Sequence, residues 1–184
     1  MLNGKKVLAV IPARAGSKRC PGKNVREFRG KPLVVWAMEV ALASKAMDMV
    51  VLSSDDDATR SLILDGAFWM QRDPELASDT ATNEDVCRDV LERAGGEFGW
   101  VVLLQPTSPL RTVQDIHRTL DAAMYGGYDA ACTYSSSGQK NGAVYACSAG
   151  WLRDGKDFTK WYADPYFMPE ERSLDIDYPE DFDK

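Results

Sequence analysis

Ile11-Pro12-Ala13-Arg14-Ala15-Gly16-Ser17-Lys18-Arg19-Cys20-Pro21-Gly22-Lys23-Asn24 begins where the apolar run Val7-Leu8-Ala9-Val10-Ile11 ends. That run has the length and composition of a buried strand. The stretch after it carries Arg14, Lys18, Arg19 and Lys23 and no acidic residue. Gly16 and Gly22 let the backbone turn freely or approach a ligand closely, while Pro12 and Pro21 stiffen the path. A strand that empties into a purely cationic, glycine-containing loop predicts an anion site. Arg offers phosphate oxygens a planar fork and Lys a compact charge, so a polyphosphate suits this density of cations best. A basic surface loop is the competing reading, and it has no need of two prolines and two glycines.

Neither common phosphate-loop pattern fits. From Gly16 to Gly22 there is one residue more than the P-loop spacing allows, and Lys23 is followed by Asn24 instead of Ser or Thr. A dinucleotide fingerprint after the first strand is also missing.

Outward from the loop, helices and buried strands alternate. A helix is expected over 31–44, with Leu33, Trp36, Val40 and Ala41 at helical spacing. Strands are expected over 48–53, 66–70, 100–104, 128–134 and 141–147. Helices are expected after Asp57 through 64, over 85–94 and over 112–125. Asp55, Asp56 and Asp57 read as helix-capping and solvated carboxylates before they read as metal ligands. The aromatic stretch 151–167 follows no period and is left unassigned. Strands separated by helices imply right-handed βαβ units, hence an α/β fold with a mostly parallel sheet. Such sheets bind ligands at the carboxyl ends of their strands. The polar loops at Pro12, Ser54, Arg72 and Gln105 all follow expected strands, which places them on one edge.

The chain has 184 residues and a formal net charge of -6, which fits one globular domain and argues against a nucleic-acid polymer as ligand. No apolar run reaches the length of a membrane span, and Met1 to Lys6 has no signal-peptide core behind it; a cytoplasmic protein is expected. Cys20, Cys87, Cys132 and Cys147 are widely spaced and are read as reduced thiols. His117 is the single histidine and is read as a helix-surface residue.

Ser173-Leu174-Asp175-Ile176-Asp177 is the second chemical motif. In an extended segment Asp175 and Asp177 share one face while Leu174 and Ile176 share the other. Alone, Asp-x-Asp is a weak signal. Beside a polyphosphate loop, two hard carboxylates suit Mg²⁺, whose remaining positions phosphate oxygens and water can fill.

Four blocks together resemble the acylneuraminate (sugar-acid) cytidylyltransferases, the family that makes CMP-N-acetylneuraminate and related activated sugars. The blocks are the opening loop, residues 72–82, LLQPTSPLR over 103–111, and NGAVY over 141–145 leading to SLDIDYPEDFD. Cys20 departs from the family's larger apolar residue. The resemblance implies a single Rossmann-like three-layer α/β/α nucleotidyltransferase domain of glycosyltransferase A type over residues 1–184. It implies that CMP passes from CTP to an acidic sugar, with Mg²⁺ and release of pyrophosphate. Carried over, it implies Arg14 and Lys23 as catalytic, with Ser17 and Lys18 beside them on the triphosphate and Ala13 on the nucleotide. Asn24, Arg72, Thr80, Thr82 and Asn83 would surround the ribose and base. Gln105 and Asn141 would face the acceptor, and Asp175 and Asp177 the metal. Gln105 has the competing role of pairing with backbone at a strand end, and Asn141 that of holding a turn with Gly142. The base-reading loop does not distinguish CTP from GTP, and a nucleotide-binding homologue without turnover is the other alternative. Between Tyr134 and Asn141 the family carries a longer segment with acceptor contacts and an arm exchanged with a partner subunit. Only Ser135 to Lys140 stand here. The expectation is therefore a related sugar acid, a smaller acid or a phosphonate in place of sialic acid, and a monomer or weak homodimer.

Overall fold

Alternation along β1 (Lys6–Pro12) sets the layers. Val7, Ala9 and Ile11 enter one apolar core and Leu8 and Val10 the other, and none of the five is exposed. A strand apolar on both faces must lie inside a sheet covered on both sides. The computed structural model, which describes residues 4–158 and 163–184, places β1 there.

Before the second long strand come two short ones, β2 (Glu27–Phe28) and β3 (Lys31–Pro32), joined by Arg29 and Gly30 at positive φ, the conformation of a two-residue hairpin turn. Lys31 and Pro32, expected as the first residues of a helix, instead close this hairpin, and α1 (Leu33–Ala43) starts two residues later than expected. The long strands are β4 (Met49–Ser54), β5 (Ala67–Gln71), β6 (Phe98–Leu103), β7 (Ala130–Ser135), β8 (Lys140–Ser148) and β9 (Asp164–Met168). With β1 they form one seven-stranded sheet in the order β5-β4-β1-β6-β8-β7-β9. Every neighbouring pair is parallel except those made by β8, which runs against β6 and β7.

The helix expected through residue 64 is a single turn, α2 (Asp57–Arg60), whose N-cap Asp56 accepts from the Ala58 amide. α1 and α4 (Val113–Tyr125) cover one face of the sheet; α3 (Asn83–Arg93) and α5 (Ala149–Arg153) cover the other. Thr82 and Thr112 open α3 and α4 with reciprocal capping boxes through Asp85 and Asp115. The unassigned stretch thus supplies α5 and the edge strand β9, with residues 159–162 outside the described set. Its mixed composition hid both: α5 is barely more than one turn, and β9 opens on Asp164 and Pro165, which leaves only three apolar residues in a row. His117 lies exposed on α4 with Nε2 2.8 Å from the Ser44 carbonyl. No helix among the described residues is long and apolar enough to cross a membrane.

A third, smaller core decides where residues 174–176 run. Ile176 is fully buried against Phe28 and Leu33, with Leu174 and Trp36 beside them, and its amide donates to the Thr107 carbonyl at 2.8 Å. Burying such a side chain contributes about 2 kcal/mol. That contact brings the far end of the chain under the loop that began it.

Candidate active site

The strand-end loops meet around a cavity of about 580 Å³ at the carboxyl ends of β1, β4, β5 and β6. Its floor follows from backbone pairing. The Ala13 amide donates to the Ser53 carbonyl at 2.9 Å, the Ala15 amide to Asp55 Oδ1 at 2.9 Å, and the Asn24 side chain to the Arg14 carbonyl at 3.0 Å. Gly22, at φ 67, starts the tight turn that returns Lys23 and Asn24 to the rim.

Two carboxylates, each held between two cations, organise the charge. Asp79 pairs with Arg14 at 3.2 Å and Lys18 at 2.5 Å; the Lys18 hydrogen bond holds its carboxyl below the usual carboxylate range. Asp177 pairs with Lys23 at 3.0 Å and with Arg19. Arg14, Ser17, Lys23 and Asp177 line the main cavity and also an adjoining recess of about 380 Å³ that takes in Lys18 and Arg19. Asp175 stands beside Asp177 on the main cavity wall. Burial raises the Asp175 carboxyl above its ordinary range against a hydrogen bond from Thr107, and the Asp177 charge adds to the rise.

The opposite wall is the first turn of α3, where Thr82, Asn83 and Glu84 line the cavity. On the β8 side it is completed by Gln105, Lys140, Tyr145 and Phe158. Gly142 is required beneath Gln105: it sits at φ 70, and a Cβ there would lie 2.4 Å from the Gln105 side-chain oxygen.

A sheet whose strand ends present a cationic loop, a carboxylate pair and a helix N-terminus to one cavity suits a nucleoside polyphosphate. Residues 8–144 match a family model described as cytidylyltransferase. The chain belongs to the cytidylyltransferase family. It is 30% identical to CMP-N,N'-diacetyllegionaminic acid synthase of Legionella pneumophila, across 96% of this chain and 93% of that one. Pseudaminic acid cytidylyltransferase of Campylobacter jejuni is 41% identical over 57% of this chain and 47% of its own length. The solved structure of CMP-2-keto-3-deoxy-manno-octonic acid synthetase with CTP shares the fold, at a TM-score of 0.75 and 18% identity, covering 96% of this chain and 95% of that one. The Rossmann-like nucleotidyltransferase fold and the enzyme class implied by the sequence are those of this cytidylyltransferase.

Within it, the residues expected at the site part into two groups. Arg14, Ser17, Lys23, Asn24, Arg72, Thr82, Asn83, Gln105, Asp175 and Asp177 all reach the cavity. Lys18 lies outside the main cavity, in the recess. Ala13 is placed otherwise: its side chain is in the core and both its backbone groups pair with β4. Thr80 stands off the wall, its hydroxyl 3.2 Å from that of Ser78. Asn141 does not line the cavity either. Its amide nitrogen donates to Ser173 Oγ at 3.1 Å, its oxygen accepts from the Ala143 amide at 3.2 Å, and its carbonyl accepts from Ser108. It fastens β8 to the segment that carries Asp175, so its place is structural. Arg72 borders the cavity with its guanidinium already donating to the Ser53 carbonyl at 2.8 Å, and burial lowers its pKa.

Sequence reasoning passed over several contributors in this cytidylyltransferase. Asp79 was visible as an acid inside the quoted 72–82 block, opposite a loop with none. Arg111, buried in the LLQPTSPLR block, donates to the Ser108 carbonyl at 3.0 Å and to that of Gln105 and so shapes the turn that carries Gln105. Glu84 and Phe158 carried no signal, and Tyr145, though inside the NGAVY block, was given no role, because their contacts at the wall are with residues distant in sequence.

Proposed function

We propose that this chain transfers CMP from CTP to an acidic sugar of the sialic-acid-like class, in the cytoplasm, with Mg²⁺. The observation that carries the reading is the pairing of Arg14 and Lys18 with Asp79, and of Arg19 and Lys23 with Asp177, along the cationic loop at the cavity rim. Half-exposed ion pairs of this kind are screened by solvent and contribute little stability. A triphosphate can therefore replace Asp79 on Arg14 and Lys18 at little cost, and the loop that binds it is already held in shape by Asp55 and Asn24.

In the reaction a hydroxyl of the acceptor attacks the α-phosphorus and pyrophosphate leaves. Arg14 and Lys23 would neutralise charge that builds on the phosphate oxygens; with Ser17 they would orient the triphosphate along the recess. Asn83 and the α3 N-terminus face the nucleoside, where free backbone amides favour acceptor atoms. Gln105, whose side-chain oxygen leaves no room for a Cβ at Gly142, would face the acceptor. The donor set suits the metal: among the described residues no cluster of three ligating side chains exists, and two carboxylates beside a phosphate site match an ion that keeps several waters and phosphate oxygens. Asp175 and Asp177 would hold it, and it would supply further neutralisation of phosphate charge when bound. The cytoplasmic setting rests on four buried free thiols, the state of cysteine in a reducing compartment.

Pyrophosphate release from each of the four nucleoside triphosphates, against a panel of sugar acids, tests the proposal. CTP with a nonulosonic acid is the expected productive pair. Release that favours another nucleotide, or that no acid stimulates, would overturn it.

A further inference from the structure

Residues 174–177 belong to none of the strands, so no ladder of the sheet holds the backbone that carries Asp175 and Asp177. Other contacts do. The Ile176 amide donates to the Thr107 carbonyl, and the Ile176 side chain fills the small third core. Thr107 also gives a hydrogen bond to the Asp175 carboxylate. Beyond Ile176 the hold passes to Asp181. One of its oxygens, Oδ2, accepts from the Asp177 amide at 2.9 Å and from the Tyr178 amide at 2.8 Å. The other takes the Lys184 ammonium at 2.7 Å. Asp181 is buried and is not part of the cavity wall. Its carboxylate is committed to the backbone of the acid beside it.

The turn that carries Asp181, Pro179–Asp183, is fixed in its own right. Phe182 packs against the core of Phe28, Leu33 and Ile176, and the Arg26 guanidinium lies 4.3 Å over its ring. Arg29 donates to the Lys184 carbonyl at 2.9 Å. Arg26 stands where the cationic loop ends, its amide donating to the Gly22 carbonyl at 3.1 Å. The turn thus ties the exit of the phosphate loop to the acid that pairs with Lys23. Freed from Asp181, the backbone after Ile176 could rotate and carry the Asp177 carboxylate away from Asp175 and Lys23 together. Mg²⁺ demands near-ideal octahedral geometry, and a site with two protein carboxylates has few other groups to set that geometry. The backbone direction at each acid therefore counts.

We propose that Asp181 is a positioning residue for the metal site: by accepting the Asp177 and Tyr178 amides on one oxygen, it fixes the backbone that aims the Asp177 carboxylate into the cavity. The assignment rests on the reading above, in which Asp175 and Asp177 hold the metal, and deepens it. What matters at residue 181 is then an oxygen at the right place, and its negative charge is secondary.

The test is Mn²⁺ binding to the chain saturated with CTP, followed by water-proton relaxation enhancement, for the wild type, Asp181→Ala, Asp181→Asn, Asp181→Glu and Asp177→Asn. Thermal unfolding and calorimetry of metal-free CTP binding run beside it. Asp181→Ala is expected to raise the Mn²⁺ Kd by about 10- to 100-fold, the usual result of removing a group that orients a metal ligand, with metal-free CTP affinity unchanged. Asp181→Asn keeps an oxygen for both amides and retains most of the affinity. Asp181→Glu keeps the charge for Lys184 but carries the oxygens one methylene farther, so it also loses affinity, and it decides the matter if Asp181→Ala does not fold. A merely structural Asp181 would lower Tm in these variants and leave the Mn²⁺ Kd of the folded chain at its wild-type value, which overturns the positioning role. An Asn variant as weak as the Ala or Glu variant overturns it too, because charge would then outweigh the two amide contacts. If the wild-type complex binds no Mn²⁺, or Asp177→Asn binds it as tightly as the wild type, the parent reading of the metal site fails and takes this assignment with it. Binding that depends on Asp177 and is indifferent to Asp181 defeats the positioning role alone.

Discussion

The two ends of the cavity are built on different principles. At the phosphate end the backbone does the holding: the opening loop is tied by its own peptide groups to β4, Asp55 and Asn24, and its cations project from a fixed path. At the β8 end, side chains do it, with Glu84 and Lys140 gripping Phe158 across the cavity wall. A triphosphate has the same shape and charge for every acceptor, so a fixed loop serves it. The β8 end, held by side chains, can be altered by exchanging two or three of them without disturbing the sheet.

The contrast can be broken at its stronger end first. Lys23→Ala is expected to lower turnover by about a thousandfold, the loss of one charge-stabilising donor at the reacting phosphate. The Lys23 side chain is only 12% exposed, and its partner Asp177 is 36% exposed. Removing that pair costs stability of less than about 1 kcal/mol. Thermal unfolding beside the pyrophosphate assay checks both parts; a collapsed fold would show that Lys23 is structural instead.

Asp175→Asn and Asp177→Asn are each expected to cost at least about a hundredfold in turnover, several kcal/mol of barrier. Their stabilities should move in opposite directions. Burial holds the Asp175 carboxyl above its ordinary pKa, so its ionised form is disfavoured in the fold and a neutral Asn raises Tm at pH 7. Asp177→Asn releases Arg19 and Lys23 and lowers Tm slightly. Near-normal turnover in both variants would reduce the pair to surface charge.

A third test reaches the carboxylates through what supports them. Asp115 is fully buried, caps α4, and takes a bidentate pair from Arg172 at 3.1 and 2.7 Å, just ahead of the 173–177 segment. Burial alone would raise its carboxyl, but Arg172 and the Thr112 hydrogen bonds outweigh it and hold it below the usual range. The stability this contributes is complete above the unfolded carboxylate pKa of about 4 and is lost as pH falls through the lower folded value. Arg172→Ala is expected to cost about 3 kcal/mol at pH 7, since it leaves a buried charge uncompensated. Denaturant unfolding at neutral and acid pH checks it: the wild type should lose stability below about pH 4, converging on the variant.

The smallest expected effect concerns assembly. Six residues, Ser135 to Lys140, join Tyr134 to Asn141, and they form a closed turn that cannot supply the roughly 1,000 Å² a stable interface needs. A monomer or weak dimer is expected in light scattering at micromolar concentration. A tight dimer would mean that another surface, such as the one bearing the exposed Phe167 on the edge strand β9, has taken the role.

The sequence by itself determined the parts that depend on local periodicity and on where chemistry-bearing residues fall relative to strands. The five apolar residues of β1 dictate a strand covered on both faces. The polar loops after strands dictate one edge for the site. Alternation in residues 174–177 turns Asp175 and Asp177 to the same side, because Ile176 must be buried. Only the tertiary structure decided which polar groups were already engaged. Asn141 and Ala13 carry the right residue types in the right blocks, yet their hydrogen bonds go to Ser173, Ala143 and β4. It alone also joined Glu84 to Phe158, 74 residues apart. Periodicity reports which way a side chain faces within its own element. A hydrogen bond between distant elements depends on how those elements pack, and no local pattern encodes that.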